Sequence, residues 1–139
     1  MATFQKFNQF VEDLAKGVHN LSTGQLKVAL TNTAPVAANS VYADLTSPLA
    51  TTNLSGATPF NVTTTSAEQT SGTLSLVLAD LTLTATGAVG PFRYVVLYND
   101  TPTSPADPLI GWYDYGSSVT MANTETFLID FASTTITIA

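Results

Sequence analysis

From Thr73 to Ala85 the chain alternates: Leu74, Leu76 and Leu78 fall on one side, and Leu81, Leu83 and Ala85 continue the pattern after Asp80. A period of two is the signature of a β-strand with one face buried, because successive side chains point to opposite faces. The same period recurs along most of the chain. Gln25–Thr31 places Leu26, Val28 and Leu30 on one face, and Asn32-Thr-Ala-Pro35 then gives a turn. Phe60–Ser66 is predicted as a Thr-rich strand exposed on one side. Phe92–Tyr98 is almost wholly apolar or aromatic, which predicts a central strand covered on both faces. Leu109–Tyr115 is an aromatic strand ending at Gly116, and Val119–Met121 is a short one. Thr126–Ala132 and Thr134–Ile138 are strands on either side of a break at Ser133-Thr134.

Four stretches read otherwise. Gly87–Pro91 is predicted as a turn, and Asn99–Pro108, with three prolines and two acids, as a loop. Thr46–Pro59 is a long polar loop, of the length that usually carries function or flexibility. Val41–Leu45 is a short strand or an interfacial segment.

Residues 3–17 have a different period. Phe4, Phe7, Phe10, Val11, Leu14 and Val18 recur at helical spacing, with Thr3 as a cap and Gly17 as a stop. The spacing predicts an N-terminal amphipathic helix. Its load of three phenylalanines has two readings: the helix lies on its own sheet, or it docks on a partner chain.

The expected fold is therefore mainly β: a β-sandwich or jelly roll of about eight strands with one N-terminal helix. One domain spans 1–139, with the helix at 3–17 and the sandwich at 25–138. No fixed-period repeat or dividing linker is visible.

Composition supports sheets with neutral faces. The chain has 24 Thr and 11 Ser, while charged residues make up only 10%. Thr is β-branched and suits a pleated, half-buried surface. The net charge of −6 lacks the basic footprint that nucleic acid or an anionic membrane requires. Charge is uneven. Residues 1–27 carry Lys6, Lys16 and Lys27 against Glu12 and Asp13, while residues 28–139 carry Arg93 alone against eight acids. The asymmetry reads either as solvated faces or as two poles that contact different neighbours. The absence of Cys removes disulfides, thiolate zinc sites and thiol nucleophiles. The opening Met-Ala-Thr-Phe-Gln-Lys has no secretory pattern, and no apolar run reaches the length of a membrane span. The expectation is a chain made in the cytosol.

Reactive chemistry is sparsely supplied. The one histidine, His19, follows the helix beside Asn20 and reads as a surface residue. No nucleophile elbow or phosphate-cradling loop occurs. The aspartates are scattered singly, and only Asp100 and Asp107, flanking one loop, suggest even a weak Ca²⁺ pair. The expectation is no enzyme, no cofactor and no metal.

Two features suggest contact with partners. Gly111-Trp112-Tyr113-Asp114-Tyr115-Gly116 places Trp112 on one strand face and Tyr113 and Tyr115 on the other, as an aromatic platform for sugar or protein or as a core strand with hydroxyls at its rim. Arg93, the only arginine, stands in a central apolar strand and needs a partner if buried; Asp80, Asp114 and Asp130 are candidates. The candidate partner-binding residues are thus Phe4, Lys6, Phe7, Phe10, Arg93, Trp112, Tyr113 and Tyr115.

The blocks Leu26-Lys-Val-Ala-Leu-Thr-Asn-Thr-Ala-Pro35, Gly90-Pro-Phe-Arg-Tyr-Val-Val-Leu-Tyr-Asn-Asp-Thr101 and Pro108-Leu-Ile-Gly-Trp-Tyr-Asp-Tyr-Gly-Ser-Ser118 resemble a family of small tailed-phage structural proteins, similar to capsid decoration or cement proteins. The resemblance runs over most of residues 4–131. It departs at Pro48–Pro59, where relatives often carry a Gly-rich, Tyr-containing stretch. It implies a β-rich virion protein seated on the capsid lattice through the major capsid protein, commonly as a homotrimer, without catalytic residues. The alternative expectation is a receptor- or glycan-binding domain of a phage tail or head fibre.

Overall fold

The computed structural model describes residues 3–131 and 135–138. Among them are ten strands and one α-helix. In chain order these are β1 Gln5–Lys6, α1 Asn8–Ala15, β2 Leu26–Thr31, β3 Asn61–Val62, β4 Thr64–Thr70, β5 Thr73–Leu78, β6 Leu81–Thr84, β7 Val89–Asn99, β8 Leu109–Met121, β9 Thr126–Ile129 and β10 Ile136–Ile138. The fold is mainly β, and every strand pairing is antiparallel.

One sheet has the order β1-β8-β7-β2-β3; facing it are β4-β5-β10 and β6-β9. Ile136 of β10 pairs with Leu76 of β5, and Ile129 of β9 pairs with Leu81 of β6. The Asp80 carboxylate accepts the Phe131 amide at 2.9 Å. The expected Ser133-Thr134 break lies outside the described residues. β4 and β5 are joined by Ser71-Gly72, both at positive φ, as a two-residue hairpin requires.

The alternating leucines do what their period demands. Leu26, Val28 and Leu30 of β2 meet Leu76 and Leu78 of β5 and Leu83 of β6 in one inter-sheet core. Leu26, Val28, Leu30 and Leu76 have no exposed surface. Each such side chain contributes on the order of 1.5–3 kcal/mol through removal from water. β7 lies between β8 and β2, and its outer face is also covered. There Ala29, Val96, Tyr98, Leu109 and Trp112 form a second cluster with Phe7 and Leu45. The segment over that face is tied down by Thr31 Oγ1 donating to Thr46 O at 2.7 Å and by Leu49 N donating to Leu30 O at 2.8 Å. A strand buried on both faces explains the continuous apolar run of Phe92–Tyr98.

Several boundaries differ from expectation. The helix begins at Asn8 rather than at residue 3, and its N-cap position is Phe7 rather than Thr3. Gly17, at φ +75°, follows the helix end as expected. Gly90-Pro91 lies inside β7 rather than in a turn. The pairing shifts register between Val89 and Phe92, and such irregularity is where a sheet tolerates proline. A side chain on Gly90 would collide with Val119 O. β8 runs unbroken to Met121 instead of stopping at Gly116. Val41–Leu45 centres on a 3-10 turn at Tyr42–Asp44, with the Asp44 carboxylate accepting the Ser40 and Val41 amides. The long loop 46–59 is anchored midway: Leu54 is buried and bridges to Ala85.

Candidate partner-binding site

Residues 3–7 are extended, which changes the meaning of their phenylalanines. Gln5 pairs with Trp112 and Lys6 with Gly111, so this segment completes the edge of the larger sheet. Residues three apart in a strand point to opposite faces. Phe7 accordingly enters the outer cluster, where its ring lies 4.5 Å from Trp112. Phe4 packs on the inter-sheet core, its ring 5.3 Å from Tyr113. Phe10, on the helix, is buried in the same core beside His19. Phe7 and Phe10 are thus 0% and 2% exposed within their own chain, which corrects their assignment as partner contacts. Backbone pairing with β8 and an apolar cluster on each face outweigh the helical spacing. Lys6 remains exposed, with no ion pair among the described residues.

Trp112 is buried at 7% exposure, on the face opposite Tyr113, so the aromatic strand presents no joint platform. Tyr113 and Tyr115 instead line a cleft of about 410 Å³ between β8 and β9, together with Val95, Phe127, Leu128 and Ile129. Tyr115 and Leu128 are each 56% exposed, unusual for such large apolar groups. The rings of Tyr115 and Phe127 meet edge to face at 5.3 Å. Burial pushes the Tyr113 phenol up to about 12, so it stays neutral and able to donate. β1 covers β8 only at Gly111 and Trp112, and beyond them no strand pairs with that edge among the described residues. The cleft therefore joins an apolar floor to a free strand edge.

Arg93 is half-exposed rather than buried. Its Nε and one terminal nitrogen donate to the two Asp114 carboxylate oxygens at 2.7 and 3.0 Å, and its guanidinium lies 5.4 Å from the Tyr94 ring centre. Of the three expected partners, Asp114 is the one it meets. The guanidinium, with the Gly116 amide, holds the Asp114 carboxyl below its ordinary range. Such a surface fork fixes the register of β7 against β8 more than it adds stability.

His19 is buried, contrary to its surface reading. The Asn99 side chain accepts the Thr101 amide through its oxygen, so its nitrogen faces His19 Nδ1 at 3.2 Å and donates. The imidazole proton then sits on Nε2, which has no partner among the described residues. Desolvation lowers the His19 pKa, against a smaller opposing pull from the Asp13 charge.

The residues missed by sequence reasoning are Phe127 and Leu128. Their strand was recognised, but alternation alone does not say which face of an edge strand lacks cover. Among the described residues, no cluster of three His, Asp or Glu is placed to hold a metal. Among the described residues, no helix is long and apolar enough to cross a membrane. Comparison with protein-family models, with curated proteins and with solved structures returned no match.

Proposed function

We propose that this chain is a structural subunit of a tailed-phage virion, a head decoration protein that stabilises the capsid lattice by contacts with the major capsid protein. The observation that carries the reading is the Tyr115–Leu128 seam: two large apolar side chains, each more than half exposed, beside the edge of β8 that no strand covers past Trp112 among the described residues. An extended segment of the partner adds to such an edge through main-chain hydrogen bonds and buries its apolar side chains in the cleft. Asp130 at the rim and the acidic excess of the chain favour a neutral or basic segment. The blocks around Leu26–Pro35, Gly90–Thr101 and Pro108–Ser118 support the decoration assignment through their resemblance to that family. A homotrimer on a lattice three-fold multiplies individually weak contacts.

The fibre-domain reading has less support at the aromatic strand, because Trp112 is packed on Phe7 and has little surface to offer a sugar. The test of the decoration reading is binding of the purified protein to capsids that lack it. Replacing Tyr115 and Leu128 together with Ser is expected to weaken binding at least tenfold while leaving the thermal midpoint within a few degrees of the parent. Unchanged binding by the folded double variant rules the seam out.

A further inference from the structure

A second cleft, of about 350 Å³, lies on the outer face of the larger sheet, away from the seam. Its floor is one cross-strand row. Asn61 of β3 pairs with Lys27 of β2, and Lys27 pairs with Tyr98 of β7, so three neighbouring side chains share that face. Tyr42 stands against Tyr98 with ring centres 5.0 Å apart. The walls come from the long loop, at Leu49–Thr51 and Ala57–Phe60. The loop's anchoring at Leu54 holds those walls in place.

Three properties of this cleft bear on what fits it. Asn61 Oδ1 is buried without a hydrogen-bond partner among the described residues, although buried acceptors are almost always satisfied. Lys27 Nζ already lies 3.1 Å from Asp100 Oδ2, and Asp107 stands near Asp100, so an anionic ligand meets no net positive charge. The Tyr42 ring, backed by the buried Tyr98, supplies apolar surface, and burial raises both phenols, which keeps them protonated as donors. Aromatic surface beside a few convergent polar groups is the general form of a small-ligand site, and the volume lies within the usual range of about 300–1,000 Å³.

We propose that this cleft binds a neutral saccharide unit, with a pyranose face against the half-buried Tyr42 ring that Tyr98 backs, and ring hydroxyls donating to Asn61 Oδ1 and accepting from Lys27. This goes beyond the assembly reading and rests on different residues: a decoration subunit with such a site also attaches the particle to a glycan surface. Nothing in the first cleft is needed for it.

The test is a titration of the full chain, labelled with ¹⁵N, against N-acetylglucosamine, galactose and rhamnose at millimolar concentrations. The expected result is saturable shifts for at least one sugar, confined to Lys27, Tyr42, Ala57–Asn61 and Tyr98. Asn61→Ala is expected to weaken that binding roughly fivefold, the loss of about one hydrogen bond. Tyr42→Leu, which keeps apolar cover over Tyr98 but removes the ring, is expected to weaken it more. Both variants are accepted only with a parent-like spectrum, and either one alone suffices. No saturable shift with any of the three sugars overturns the proposal. So do shifts centred on Tyr115 and Leu128, or binding unchanged in a folded variant.

Discussion

The Phe7 ring lies 4.5 Å from the Trp112 indole on the outer face of the larger sheet, and both side chains are buried there. This contact makes the N-terminal segment part of the domain's own core. Phe4 and Phe10 do the same on the inner side. Phe7→Ala is expected to destabilise the fold by about 3–5 kcal/mol, the usual cost of emptying a buried aromatic site. Chemical denaturation of parent and variant measures it. Deleting residues 1–17 removes all three rings, and the expected product is an aggregating chain rather than a soluble sheet domain.

Gly111 has no room for a side chain: a Cβ there would overlap the Phe4 ring and the Gln5 carbonyl. Gly111→Ala is therefore expected to push β1 off the sheet edge and to cost about 1–3 kcal/mol. Hydrogen exchange is the measurement. The Phe7 amide, which donates to Ile110 O at 3.2 Å, should lose protection before the amides of β7 do.

Much of this architecture was legible in the residues. Leu26–Thr31 and Thr73–Leu78 keep strict alternation, and Phe92–Tyr98 is apolar or aromatic apart from Arg93; each became the strand its pattern demanded. What failed was local period overridden by tertiary contact. Phe4, Phe7 and Phe10 fit a helix by spacing alone, yet two faces of one sheet edge compete for them. Gly116 looked like a stop, but glycine at φ +97° continues β8 with a local distortion. The Ser71-Gly72 pair marks the turn that lets β4 run to Thr70, four residues past its expected end at Ser66. The seam was half legible. Tyr113 and Tyr115 were singled out on their strand, but their neighbours Phe127 and Leu128 come from the opposite sheet, and only the packing of two sheets brings them together.

Burial of His19 sets a pH dependence. Its folded pKa lies below the ordinary value near 6.5, chiefly from desolvation, so the unfolded chain binds the proton more readily. The groups facing it are Asp13 of α1, whose charge opposes the shift, and the neutral Asn99 of β7. Stability from this residue is present above about pH 6.5 and declines as pH falls toward the depressed folded value. The thermal midpoint of the parent is expected to drop between about pH 7.5 and about pH 5.5. His19→Gln, which does not titrate, should be less stable at the upper pH but show a shallower decline. Equal slopes for the two proteins would remove His19 as the cause.

The abundance of the chain in purified virions tests the decoration assignment most directly. A subunit repeated over the capsid lattice should be present at on the order of hundreds of copies per particle, measured by quantitative gel or mass spectrometry against the major capsid protein. Absence from intact particles, or a stoichiometry matching a handful of fibres, would contradict the account.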